Sequence, residues 1–425
     1  MGNDPKAWLK LDNAAKLYPA TMRRDWMAMF RCSAHLTEQV DPVLLKQALA
    51  CTVPRFPGFA VHLRRGLFWF YLEHSDELPE IQEDVKNPCV RMNLRENKQF
   101  MFRVRYYGNR IAVEVFHVLS DGMGGLCFLK TLLAEYLRLK YGVSIPRDAQ
   151  ILDCGEKPQS QELEDAFLKY ASVEKLSRKE ADAYYIRGQQ EPMQITHITT
   201  GMIPVAQVLM RAKEKGVTLT EYLTSVLILS TDTMQRRMIK NPRRLKPIKV
   251  CVPVNLRAFF PSNTLRNFSL FVNPGIEPRL GVYSFDEILK VVHYYMGLEL
   301  TTKKLQARVT ANVQVEKSGF LRFTPLFIKN LVMRMVFNRV GDRKTSTILT
   351  NLGQIKLPPE MRAYITRMDA VLGPLSRNRV ISAALSYGDT LYFTFTRTIK
   401  ESALEREFFK NLVRLGIAVK VESNN

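Results

Sequence analysis

Within the stretch EVFHVLSDGMGG, residues 114–125, the chain sets His117, Asp121 and three glycines into twelve positions. Along RIAVEVFH the alternating positions Ile111, Val113, Val115 and His117 share one face of a strand. The histidine therefore closes an apolar row where the strand gives way to a turn. On position alone such a residue reads as a satisfied boundary histidine. Its surroundings give a second reading. Asp121-Gly122 start a tight turn, and Gly124-Gly125 permit close backbone approach just before a helix. An imidazole held there suits general-base work on a hydroxyl or amine, because its pKa lies near working pH. Asp121 is open to two roles, a partner that orients the ring or a structural anion that pins the loop through an arginine. His35, His62, His74, His197 and His293 have no comparable context and are read as structural.

The elements that must hold this junction are legible from periodicity. MFRCSAHL (29–36) alternates like a strand, and DPVLLKQALACTV (41–53) reads as a helix capped by Asp41 with Pro42 at its first position. FAVHLR and LFWFYLEH flank Arg65-Gly66 as a hairpin, and FMFRVRYY and RIAVEVFH flank Gly108-Asn109 as another. GLCFLKTLLAEYLRLKYG spaces its leucines as a helix that ends near Gly142. From about 144 to 195 the composition turns polar and charged, which predicts a linker. Beyond it, GVTLTEYLTSVLILSTDTMQRR reads as a helix starting near Thr218 or Thr220, and IKVCVPVNLRAFF as a strand running into a loop. STILTNLGQIKLP, the hairpin VISAALSYGDTLYFTFT and the amphipathic SALEREFFKNLVRLGIAV complete the chain. The class is α/β or α+β with sheet in both halves.

A length of 425 residues favours two core-bearing units. The net charge of +21 favours polyanionic partners without choosing among them. Its densest run, QRRMIKNPRRLKPIK, has no interleaved aromatics and no zinc-finger spacing, so nucleic acid is disfavoured and a solvated basic surface preferred. The six cysteines, Cys32, Cys51, Cys89, Cys127, Cys154 and Cys251, are scattered without ligand spacing, which argues against a metal site and for reduced thiols in a cytoplasm. No leader-like start and no long apolar window is present. PLFIKNLVMRMVFNRVGDRK (325–344) is apolar with Lys329, Arg334, Arg339, Arg343 and Lys344 spread through it. It reads either as a helix in peripheral contact with a membrane or, preferred here, as a core helix showing one basic face.

HVLSDG resembles the HxxxDG signature of the superfamily that includes chloramphenicol acetyltransferase, peptide-synthetase condensation domains, plant HxxxD acyltransferases and alcohol acetyltransferases. Four further segments are similar to that superfamily in its own order: LLKQALACTVPRFPGF, GVTLTEYLTSVLILS, CVPVNLRAFFPSNTLRNFSLF and LTNLGQIKLP. The resemblance implies an α/β fold of two chloramphenicol-acetyltransferase-like sandwich domains around a central tunnel, at 1–150 and 199–425, joined by a 151–198 linker. It implies an acyltransferase in which His117 is the general base for an alcohol or amine attacking a thioester. Asp121 would point away from the reaction and pair with Arg257, and Gly122 would let the backbone turn tightly beside the ring. Thr350 and Asn351 become candidate oxyanion or substrate contacts. The resemblance implies no metal and no permanently bound cofactor. It implies acyl-CoA as co-substrate, with an acidic acyl carrier protein as the alternative donor and a catalytically idle binding protein as the remaining reading. Phe116 stands where condensation domains usually carry a second histidine, and the plant DFGWG motif is absent. Both differences point toward bacterial-type alcohol acetyltransferases and stand-alone condensation-like enzymes.

Overall fold

The alternation read in MFRCSAHL becomes the strand Met29–Leu36, and its neighbours build the first of three sheets. The structure is a computed structural model that describes residues 8–23, 26–176, 180–317, 324–336, 342–375 and 378–424. The start of the chain and Arg339 lie outside the described residues. In the first sheet the strand order is Ile365–Leu372, Met29–Leu36, Arg110–Phe116, Phe102–Tyr107 and Ile81–Glu83, antiparallel until the last pair. The tight hairpin at Gly108-Asn109 holds Gly108 at φ +54, where a side chain would be strained. Val61–Arg65, Phe70–His74 and Trp8–Lys10 form a small separate sheet.

The helices Pro42–Thr52 and Gly122–Tyr141 pack together over the first sheet. Asp41 accepts from the Val43 and Leu44 amides at the start of one, and Gly142 at φ +68 ends the other. Leu126, Leu129, Leu132, Leu133 and Leu137 are buried against Phe30, Val113 and Val115 in one continuous core. The second half contains an eight-stranded sheet in the order Ser269–Val272, Ile248–Asn255, Thr347–Gln354, Val380–Tyr387, Thr390–Arg397, His197–Pro204 and Lys420–Ser423, with Gly275–Ile276 beside Ile248–Asn255. Its middle strands are parallel, which requires the long helical crossovers the sequence supplies. Leu219–Met238 covers it, opened by a capping box in which Thr218 and Glu221 satisfy each other's backbone.

Two features differ from the boundaries drawn in the sequence. The strand Ile365–Leu372, from the last third of the chain, pairs with Met29–Leu36 and completes the first sheet, so residues 1–150 are not closed on themselves. Ile355, Leu357, Met361 and Met368 belong to the first core for the same reason. The described residues of the 151–198 linker are tied to the rest of the protein: Phe167 and Ile186 are buried, and Glu162 holds Arg55 through two bonds of 2.6 and 2.7 Å. Phe167 lies in the five-residue helix Ala166–Tyr170 and Ile186 in irregular chain, neither with enough helical period to reveal it.

The segment expected as a core helix with a basic face is a helix over Leu326–Val336 that exposes most of its apolar residues along with Arg334. Lys329 is wholly buried, while Phe327, Ile328, Leu331 and Met335 are exposed. Among the described residues no helix is long and apolar enough to cross a membrane.

Candidate active site

Asp121 is where the strand–turn–helix junction is anchored. As N-cap of Gly122–Tyr141 its Oδ1 accepts from the Met123 and Gly124 amides at 3.1 and 3.3 Å. Its Oδ2 accepts from Arg257 at 2.8 Å and from the Phe268 amide at 2.9 Å. One buried carboxylate thus fastens the helix start to a loop of the second half. Arg257 extends the grip by donating to the backbone carbonyls of Thr264 and Arg266. The planar guanidinium fork can serve these acceptors together, which a point-like ammonium cannot. Asp121 is therefore saturated, and among the described residues none of its hydrogen bonds goes to the histidine ring.

The glycines are dictated by space. A Cβ on Gly124 would sit 2.2 Å from the Leu265 carbonyl oxygen, which is backbone and cannot step aside cheaply. One on Gly125 would meet the Phe30 ring at 2.5 Å. Gly122 differs from the sequence reading in its reason. Its φ is not left-handed, and the place of a side chain is filled by Leu352 at 2.7 Å. Close approach of the second half, rather than an unusual turn, selects glycine there.

His117 lies between these supports. Its amide donates to the Ala28 carbonyl at 2.9 Å, and its own carbonyl accepts from Asn267 Nδ2 at 2.9 Å. The ring stacks on Tyr18 at 5.2 Å between centroids and lies 4.7 Å from Phe30. Nδ1 is enclosed without a hydrogen-bond partner, and the residue as a whole is half-buried. Burial pushes its pKa below the ordinary histidine value, and the Asp121 charge, Asn267 and the Ser120 backbone oppose that shift. A neutral imidazole at neutral pH follows. His35, His74, His197 and His293 instead face Asp369, Asp76, Glu191 and Glu221, while the ring of His62 is packed edge-on against Phe100.

The structure brings His117, Asp121, Gly122 and Arg257 together. Thr350 and Asn351 lie on Thr347–Gln354, whose irregular end carries Leu352 onto Gly122. Asn351 donates to Thr220 Oγ1 at 2.9 Å and accepts from the Gly353 amide, so its amide group is already engaged. Among the described residues neither Thr350 nor Asn351 is bonded to His117 or Asp121.

Three residues at the site were not singled out from the sequence. Asn267 bridges the His117 carbonyl and the buried Asp12 carboxyl, whose pKa burial pushes up. The RNF triplet that contains it was visible, but no periodicity marks it. Tyr18 comes from the short helix Leu17–Thr21, and burial raises its phenol pKa, with the charges of Asp12 and Asp121 adding to the effect. Phe30 looked like one more strand residue. No group of three or more His, Cys, Asp or Glu side chains among the described residues is placed to hold a metal. A cavity away from His117, lined by Ile186, Met234, Met238, Val380 and Leu404, is mostly hydrocarbon with Arg187 and Glu401 among its walls.

No family model and no curated protein matches this sequence. Solved structures do share its fold. Polyketide synthase associated protein 5 from Mycobacterium tuberculosis aligns with TM-score 0.59 at 14% identity, over 97% of this chain and 98% of that one. F. sporotrichioides TRI101, solved with coenzyme A and T-2, aligns with TM-score 0.60 at 11% identity, over 98% and 100%. The wax ester synthase/diacylglycerol acyltransferase from Marinobacter aquaeolei VT8 aligns with TM-score 0.56 at 13% identity, over 96% and 100%. Condensation domains of peptide synthetases have the same fold. The chain thus shares its α/β fold with these proteins over nearly its whole length.

Proposed function

We propose that this protein is an acyltransferase that moves an acyl group from acyl-CoA to an alcohol or amine, with His117 as general base. The observation that carries the reading is the histidine itself: neutral by burial, partly accessible, and held in a junction that the Asp121–Arg257 pair locks across the two halves. Nε2, the ring nitrogen other than the enclosed Nδ1, takes the proton of the acceptor O–H or N–H as that atom attacks the thioester carbonyl. The tetrahedral intermediate collapses with cleavage of the C–S bond, and the imidazolium returns the proton to the departing thiolate. Base help of this kind is worth ~10²–10⁴-fold, with positioning of the two substrates supplying much of the remainder.

Asp121 and Arg257 act as positioning residues, since their polar atoms are occupied with each other and with backbone. For the oxyanion, the Thr350 hydroxyl is the better candidate, because the Asn351 amide already serves Thr220 and Gly353. The net charge of +21 suits a phosphate-bearing donor. Coenzyme A in the TRI101 structure and the acyltransferase named in the Marinobacter protein support the same class. The basic surplus would equally favour an acidic carrier protein as donor.

The test is thiol release from acyl-CoAs of graded length with pooled alcohols and amines. Wild-type protein should release thiol and His117→Ala should not, at unchanged circular dichroism; retained turnover in the variant removes the proposal. Turnover only with a carrier-bound thioester would replace coenzyme A by the carrier protein.

A further inference from the structure

The helix Leu326–Val336 raises a question that the chemistry at His117 does not absorb. A helix beside a core normally turns its apolar stripe inward. Here Leu326 and Lys329 face inward, while Phe327, Ile328, Leu331 and Met335 face water. The Lys329 ammonium donates to the Phe68 carbonyl at 2.8 Å and lies 3.4 Å from the centre of the Trp69 ring. The Leu326 amide donates to the Leu67 carbonyl at 2.9 Å. The lysine thus pins the tip of the Val61–Arg65/Phe70–His74 hairpin against the helix. That tip adds Leu67 and Phe68 to the same outward surface. Six large apolar side chains from two segments are then exposed by between 38% and 73%.

The rim of this surface is basic. Val61–Phe70 and Leu326–Val336 contain no acidic residue. Arg65 and Arg334 are exposed and form no ion pair with any described residue, and Arg64 is held by Glu73 at 2.6 Å. Contiguous exposed apolar surface of this kind marks a contact site, and cations around it select an anionic one. A second copy of the chain would place like charges against each other. The helix also packs on Leu17–Thr21, which carries Tyr18 against the His117 ring. The surface therefore lies one helix away from the base.

We infer that the exposed face of Leu326–Val336, with the Leu67–Phe68 hairpin tip, docks on an anionic lipid surface, and that one substrate of the His117 site is a long-chain amphiphile taken from that surface. The substrate clause rests on the acyl-transfer reading; the docking clause does not. Cosedimentation of the full chain with phosphatidylcholine vesicles, with and without phosphatidylglycerol, tests docking. Wild-type protein should pellet with the anionic vesicles. Leu331→Glu should weaken partitioning about tenfold or more, and Arg65→Glu or Arg334→Glu about fivefold each. His117→Ala should pellet like wild type. Turnover of a long-chain alcohol carried in the vesicles should fall with Leu331→Glu while turnover of a water-soluble short alcohol stays unchanged.

Wild-type protein remaining in the supernatant with both vesicle types overturns the docking surface. So does Leu331→Glu binding as tightly as wild type, or a solution dimer that Leu331→Glu dissociates. Vesicle binding in the absence of any thiol release leaves the docking clause standing and removes the acyl-transfer reading beneath the substrate clause. Equal turnover of vesicle-borne alcohol by wild type and Leu331→Glu overturns the substrate clause alone.

Discussion

The start of the Gly122–Tyr141 helix, which holds His117, and the face of the Leu326–Val336 helix, one short helix further out, treat charge in opposite ways. At the first, the Asp121 carboxylate spends both oxygens inside the protein, on two helix amides, a guanidinium and the Phe268 amide. At the second, the one charge inside the helix is a lysine on a carbonyl and a ring, and the hydrocarbon is turned outward. Buried charge with every lone pair engaged fixes geometry from within. Apolar surface left in water recovers its free energy only when something external covers it. The first region is built to be rigid, and the second is built to be met.

Substitutions at the two regions should therefore separate cleanly in what they disturb. The largest effect is chemical: His117→Ala should lower thiol release by ~10²–10⁴-fold in a stopped assay, with the native circular dichroism retained. The acid limb of kcat/KM should lie below the ordinary histidine pKa of about 6.5, because burial disfavours the charged ring. The sign for stability follows. A depressed folded-state pKa means that the unfolded chain binds more protons just below pH ~6.5, so His117 makes the fold less stable as pH falls through that window. A limb above that value would show the ring to be charged in the free enzyme.

Arg257→Ala strands the Asp121 carboxylate and should cost roughly 3 kcal/mol or more in urea unfolding, the lower end for a buried pair because the guanidinium is partly accessible. Arg257→Lys should recover only part, since one ammonium cannot serve the Thr264 and Arg266 carbonyls and Asp121 together. Gly124→Ala drives a methyl into the Leu265 carbonyl and should cost about 1–3 kcal/mol, with a lower kcat as the junction shifts. Leu331→Glu, on the outward face, should change stability by no more than about 0.5 kcal/mol. A large loss there would mean that the face is part of the core, and the contrast between the two regions would be gone.

Much of this was legible because local chemistry and fold agree. Asp41, Thr218 and Gly142 punctuate helices with the caps their residue types favour, and Gly108-Asn109 sets the histidine hairpin. His117 and Asp121 could be singled out because a turn and a cap leave a sequence trace. What was not legible depends on contacts across long separations. Asn267 reaches the His117 carbonyl from 150 residues away, and Tyr18 reaches the ring from a helix of five residues without a period to announce it. The outward apolar stripe of Leu326–Val336 and the buried Lys329 were not legible, because periodicity separates two faces without saying which one is covered. Lys329 decides it through a carbonyl and a ring donated by the hairpin tip.

The strand Ile365–Leu372 has a consequence for biosynthesis. Ser33 and Asp369, bonded across the seam it makes with Met29–Leu36, are 336 residues apart. At roughly 5–20 residues per second a ribosome takes some tens of seconds to deliver the missing strand. Until then the nascent chain carries an open β-edge of eight residues, the length of Met29–Leu36, which any other extended segment can occupy. Truncated chains that stop before residue 365 should accumulate in inclusion bodies, and a chaperone that shields extended hydrophobic strands should raise the yield of the full-length chain.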